Sequence, residues 1–304
     1  MKRRVMMIFV DGLGIGKNNP EINPLVRFKF DFINDFFGKF PTLKNSRIEK
    51  KYFSIRAVNA TMGVEGLPQS GTGQTAIFCG FNASKFIGKH FGPYIYSSLK
   101  PLVQKKNIFV DLEKRKYSTY FSNAYPQKFF DYLRDGRRTL SVTTFSYLAA
   151  GKNLNDVNTL LEGKAITAEI TNEIWNSRLG YDLPVIKPQK AGKIFYQISK
   201  EYNFNLFEYF LTDYAGHSQD FNYALEVLTK LDGFLEGLIL NMNLNKDLLI
   251  LISDHGNIED LSVKGHTRNP AVGIFVGNNH RNFYNKVNYL YQLKRNIIYY
   301  LEGK

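Results

Sequence analysis

Short apolar runs that stop at a polar or glycine-containing turn recur along this chain, and no other feature constrains its fold as tightly. The first, Arg4–Val10, holds five further apolar residues between its start and Val10, and Asp11-Gly12 follows at once. A continuous apolar run of this length suits a strand buried on both faces. Similar runs lie at Thr119–Phe121, Leu206–Leu211, Leu248–Ile252 and Val272–Val276. Longer amphipathic stretches separate them, such as Tyr223–Leu240, where Leu225, Leu228, Leu231, Phe234 and Leu235 fall at helical spacing. Strands alternating with helices predict an α/β sheet covered by helices on both faces.

The chain has 304 residues, 44% of them apolar. That is longer than the roughly 100–200 residues of a common domain and rich enough in apolar side chains to build a core. Residues Pro126 to Gly192 read differently from the rest: polar helical pattern, no buried strand, helices expected at Asp156–Leu161 and Ala165–Leu179, and a linker from Asp182 to Pro188. We expect a small, mostly helical cap at 127–192, inserted into a core formed by 1–126 and 193–304.

The single cysteine, Cys79, excludes a disulfide framework within one chain and fits a reducing cytoplasm. The basic start Met1-Lys2-Arg3-Arg4 and its apolar run end at Asp11 without a small-residue cleavage site, so they read as a first strand rather than a leader. No stretch reaches the roughly 18 apolar residues of a membrane span. The net charge of +13 suits a soluble surface or attraction of an anionic substrate. The lysines are scattered and no nucleic-acid recognition motif is present, so nucleic acid is not expected as a partner.

Five segments carry chemistry. Asp11 precedes Gly12-Leu13-Gly14-Ile15-Gly16, whose glycine spacing does not fit a dinucleotide loop; a carboxylate at a strand end suits a metal ligand better. In Gly66-Leu67-Pro68-Gln69-Ser70-Gly71-Thr72-Gly73, a helix over Thr72–Cys79 with Gly80 as its stop puts Ser70 at a helix N-terminus, where the dipole favours an anion. Asp213 and His217 stand four apart directly after a strand, on one face of any helix that begins there. Asp254-His255 and His266 lie beside two further strand edges. Three of the five histidines thus sit in Asp/His motifs, with no cysteine nearby. Three Asp, three His and one hydroxyl make a ligand set for two ions of the Zn²⁺ or Mn²⁺ kind.

In order, Asp11-Gly12, Ser70-x-x-Gly73, Asp213-x-x-x-His217, Asp254-His255-Gly256-Asn257 and His266-Thr267-x-Asn269-Pro270 resemble the alkaline phosphatase superfamily, nearest its cofactor-independent phosphoglycerate mutase and phosphopentomutase branch. The resemblance implies a three-layer α/β/α sandwich. It implies one divalent ion on Asp213, His217 and His266, and a second on Asp11, Asp254, His255 and Ser70. It also implies phosphoryl transfer through a phosphoserine on Ser70, which lies three residues before Gly73, as the family's nucleophile does. Gly71-Thr72-Gly73-Gln74 departs from the sulfatase sequence, and Gln74 stands where the mutases often carry histidine. The short insertion favours hydrolysis of a phosphate ester over a mutase reaction. Thr72, Gln74, Asn123 and Arg268 are the candidate contacts for a small phosphorylated substrate, with Lys85, Lys89, His90, Lys128 and Arg134 as further possibilities in or near the cap.

Overall fold

The computed structural model describes residues 3–136 and 139–304; Met1-Lys2 and the Arg137-Arg138 pair of the expected cap lie outside them. Among the described residues nine strands form: β1 (Val5–Val10), β2 (Arg47–Glu49), β3 (Phe53–Val58), β4 (Thr119–Phe121), β5 (Asn123–Ala124), β6 (Ile166–Thr167), β7 (Phe204–Tyr209), β8 (Leu248–Ile252) and β9 (Ala271–Gly277). Seven make one sheet in the order β2-β3-β9-β8-β1-β7-β4, and β5 pairs with β6 separately. The strands β4, β7, β1 and β8 run parallel, whereas β9 and β3 pair antiparallel to their neighbours.

β1 explains why the apolar runs are continuous. Met6, Ile8 and Val10 enter one core, and Val5, Met7 and Phe9 the other, so both faces of the strand are buried. On the first face, Phe195 of the Pro188–Ser199 helix and Phe234 of the Phe221–Ile239 helix pack on Phe207, with ring centroids 4.8 to 6.0 Å apart. On the second, Phe78, Tyr147 and Ile297 come from helices Ser70–Cys79, Val142–Ala149 and Leu293–Glu302. The architecture is the three-layer α/β/α sandwich expected.

Some local readings change. The run placed at Leu206–Leu211 forms its strand two residues earlier, because Leu211 already opens a helix over Leu211–Ser218. β3 was not expected: Arg56 interrupts its apolar pattern, yet its guanidinium is buried and donates to the Tyr284 carbonyl and Asn288 Oδ1. The helix expected over Ala165–Leu179 is confined to Glu173–Leu179. Ile166–Thr167 is instead a buried strand, and Glu169 accepts the Ile174 and Trp175 N–H groups that open the helix. Within 127–192, Val142 and Tyr147 join the second core, Ala191 joins the first, and Leu160, Ala165, Trp175 and Leu183 form a small core with Ala124. Among the described residues no helix is long and apolar enough to cross a membrane.

Candidate metal centre

The sheet register gathers the chemistry at one edge. Val10 lies opposite Tyr209, Phe9 opposite Ile252, and Ile252 opposite Gly273, so β1, β7 and β8 end where β9 begins. Val58, at the end of β3, pairs with Ala271 and delivers the loop to Ser70 to the same edge. Chain segments leaving the carboxyl ends of a parallel sheet converge in this way by topology alone. The antiparallel β9 matters equally: the link from β8 contains no helix, so the chain reverses and drops His266 beside His255.

All seven candidate ligand residues meet in this space. Asp213 Oδ2 lies 3.3 Å from His217 Nε2, one helical turn on, and Asp213 Oδ1 lies 3.6 Å from His266 Nε2. His255 Nε2 lies 3.2 Å from Asp11 Oδ1, 3.6 Å from Asp254 Oδ2 and 3.0 Å from Ser70 Oγ. The His255 and His266 rings stack at 3.8 Å and join the two groups. Asp213 reaches both: it clusters with His217 and His266, and again with Asp11 and His255. Gly12 (φ +68°) permits that approach, since a Cβ there would come within 2.6 Å of Asp213 Oδ1.

Two of the imidazoles have a fixed tautomer. His217 Nδ1 donates to the Lys264 carbonyl and His266 Nδ1 to the Pro68 carbonyl, each at 2.8 Å, which leaves both Nε2 lone pairs facing Asp213. His255 Nδ1 faces the Gly256 carbonyl at 3.4 Å. Asp11 Oδ1 and Asp254 Oδ2 are buried without a hydrogen-bond donor. Burial, then the Asp11 charge, pushes the Asp254 carboxyl well above the usual range. Burial lowers His255, but Asp254, Asp11 and Asp213 more than offset it and raise it to about 10. Burial and the neighbouring His255 charge lower His266 to about 4, so it stays neutral at pH 7. Three crowded carboxylates in a dry setting call for positive charge, and this N/O donor set fits divalent cations.

Ser70 is buried and opens the Ser70–Cys79 helix, which ends at Gly80 in the left-handed conformation as expected. Of the candidate substrate contacts, Gln74 Nε2 lies 3.3 Å from Asp11 Oδ2, and its buried Oε1 has no donor. Thr72 Oγ1 is occupied by the Gln69 carbonyl and the Phe91 N–H. Asn123 lines the cleft, but both ends of its amide serve the Glu208 backbone. Arg268 is exposed and borders a separate cleft with Arg56, Asn59 and Tyr289. His90 is held by Ser84 Oγ and the Val64 carbonyl. Lys85, Lys89, Lys128 and Arg134 do not border the main cleft.

Three supporting residues were given no role by the sequence reading, Asn257 standing there only as part of a motif. Asn257 Nδ2 donates to both Asp213 Oδ1 (2.7 Å) and the Asp213 carbonyl (3.1 Å), orienting the carboxylate that both clusters share. Glu259 accepts the Gly14 and Asn257 N–H groups, the Thr267 hydroxyl and the Asn269 amide, tying three ligand-bearing loops together. Glu208 interrupts the apolar pattern of β7, lines the cleft and accepts from Thr143 Oγ1 at 2.9 Å. A polar residue breaking a buried run was its only signal in the sequence.

Burial, with a smaller contribution from Asp11, raises the Glu208 carboxyl from 4.5 to about 8. Between those values the folded state keeps a proton that the unfolded state has lost. The stability Glu208 contributes is therefore complete below the lower value and declines as pH rises toward 8, by about 1 kcal/mol per pH unit. Glu208→Gln is expected to flatten the fall in urea-unfolding free energy between pH 5 and 8. Identical slopes for the two proteins would refute this.

The family described as the Metalloenzyme superfamily matches residues 3–301. No curated protein matches the sequence. Among solved structures, the alkaline phosphatase from the Antarctic bacterium TAB5 superposes with a TM-score of 0.56 at 11% identity, covering 98% of this chain and 97% of that one. The PH0037 protein from Pyrococcus horikoshii gives 0.52 at 15% identity, covering 91% and 86%. Phosphoglycerate mutase from Leishmania mexicana gives 0.51 at 10% identity, covering 92% and 90%. At these identities the shared property is the fold.

Proposed function

From the premise that the chain belongs to the Metalloenzyme superfamily, we propose that it is a two-metal enzyme that hydrolyses a phosphate ester through a phosphoserine on Ser70. The observation carrying this reading is the placement of Ser70 Oγ 3.0 Å from His255 Nε2 at a helix N-terminus, beside the Asp/His cluster. Asp213, His217 and His266 would hold one divalent ion, of the zinc or manganese kind; Asp11, Asp254, His255 and the Ser70 hydroxyl would hold the other, with the Asp213 carboxylate within reach of both. Bound there, such ions lower the pKa of the hydroxyl and offset phosphate charge.

The chain's own residues do the rest. Ser70 Oγ attacks phosphorus in line, the ester oxygen leaves, and the helix dipole favours the anion that forms. Gln74 steadies Asp11, and Asn257 steadies Asp213. Water then splits the phosphoserine. Two features support water as the acceptor: the short insertion and a cleft whose rim residues Tyr94 and Tyr214 are exposed. We place the cap function in the unit built on Ala124, Leu160, Ala165, Trp175 and Leu183, whose Trp175 lines the cleft.

Incubation of metal-supplemented enzyme with phosphate monoesters in ¹⁸O water tests the proposal. Free phosphate carrying one solvent oxygen is the expected product. An isomerised ester without free phosphate would show the phosphomutase reaction instead.

A further inference from the structure

Beyond Ser70, the cleft extends away from the carboxylates to a total volume of about 780 Å³. That lies within the range of organic-ligand sites and far exceeds the needs of a phosphate group. About a third of its lining residues are aromatic, with Tyr94, Tyr125, Phe129, Trp175, Phe210 and Tyr214 among them. Tyr94 and Tyr214 are 48% and 58% exposed although both line the cleft that Ser70 opens into. Large rings left in water beside a reactive group mark a surface awaiting a partner.

Each ring is fixed to a different half of the centre. Tyr94 ends the loop Phe91–Tyr94, which is bonded to the nucleophile helix through Thr72 N–H to the Phe91 carbonyl (2.9 Å) and Phe91 N–H to Thr72 Oγ1 (3.2 Å). Gly71 lets the loop close in, since a Cβ there would meet the Tyr94 carbonyl at 2.1 Å. Tyr214 sits between Asp213 and His217 on their helix, its ring edge-on to Phe210 at 5.5 Å. Charge adds a second constraint. Among the described residues lining the cleft there is no lysine or arginine, while Asp11, Glu208 and Asp213 are acidic. A second phosphate or a carboxylate on the leaving group finds no described cation there; Thr139, Ser141 and Thr144 offer neutral hydroxyls.

We propose that Tyr94 and Tyr214 form a two-sided aromatic clamp for a planar, uncharged ring carried by the leaving group, so that the substrate is an aryl or nucleoside phosphate. This rests on the phosphoryl-transfer reading above and specifies its substrate class. Stacking of a base on aromatic side chains accounts for affinity differences of tenfold or more.

The test uses metal-loaded Ser70→Ala protein titrated with adenosine 5′-monophosphate and with ribose 5-phosphate, which share a phosphorylated pentose and differ in the base. Trp175, the sole tryptophan, lines the cleft and reports occupancy by fluorescence. The nucleotide is expected to bind at least about tenfold more tightly. That ratio should fall to near one when Tyr94→Ala and Tyr214→Ala are added, and persist with Tyr94→Phe and Tyr214→Phe. Equal affinities at the outset, or a preference that survives loss of both rings, overturns the clamp. Turnover by the Ser70 protein separates the two proposals. Hydrolysis of both esters with equal kcat/KM removes the clamp and keeps the reaction. Hydrolysis of neither, with the base preference intact, removes the reaction and keeps the clamp.

Discussion

Ser70→Ala is expected to lower turnover of a phosphate ester by about 10³-fold or more, equivalent to about 4 kcal/mol of barrier, while the protein keeps its divalent ions. The loss should be large because the alternative hydroxyl in the same helix is not free to step in. Thr72, the nearest alternative in the same helix, is buried and committed to the Gln69 carbonyl and the Phe91 N–H. Metal retention follows from the remaining donors, since three carboxylates and three imidazoles are untouched. Steady-state kinetics paired with elemental analysis reads both halves. Activity within tenfold of the parent would remove Ser70 as nucleophile; loss of metal along with activity would recast it as chiefly a ligand.

Asp213→Ala carries the second large effect. Among the described residues Asp213 is the carboxylate common to both clusters, so its loss should weaken both ions together, whereas His217→Ala should weaken only one. Removing a group that merely orients a ligand costs 10–100-fold in metal affinity; a shared ligand should cost at least about 100-fold. The metal dependence of the stability change is more telling. Without metal, the Asp213 charge repels Asp254 and helps push its carboxyl up, but it favours the charged form of His255. The two effects oppose, so the metal-free variant should melt close to metal-free parent protein, while in saturating metal it should melt well below it. Thermal unfolding with and without chelator checks this. A variant less stable than the parent under both conditions would mean that Asp213 is chiefly a structural hydrogen-bond acceptor for Asn257.

The site was more legible than its surroundings, for a physical reason. Candidate metal ligands are drawn from few residue types, and Asp11, Asp213 and Asp254-His255 each stand close after an apolar run that reveals its strand by composition. Glu208 and Glu259 were less visible. A buried carboxylate is unusual only once its burial is known, and each depends on partners far along the chain, such as Thr143 for Glu208 and Gly14 for Glu259. β3 stayed hidden because Arg56 hides its polar head among the Tyr284 carbonyl and Asn288, contacts more than 220 positions away. Thr72 and Asn123 looked like substrate contacts because their chemistry allows it; neighbouring backbone claims their polar atoms instead.

By itself the sequence determined the alternation of buried strands and amphipathic helices, the residue types able to bind cations, and the helix that carries Ser70. These follow from local composition and spacing, which are properties of short segments. Only the tertiary structure decided that β9 runs antiparallel, that His266 stacks on His255, and that Asp213 reaches both groups of ligands. Strand register and direction depend on how remote segments pack together, and the distances that turn separate motifs into one centre exist only after that packing is complete.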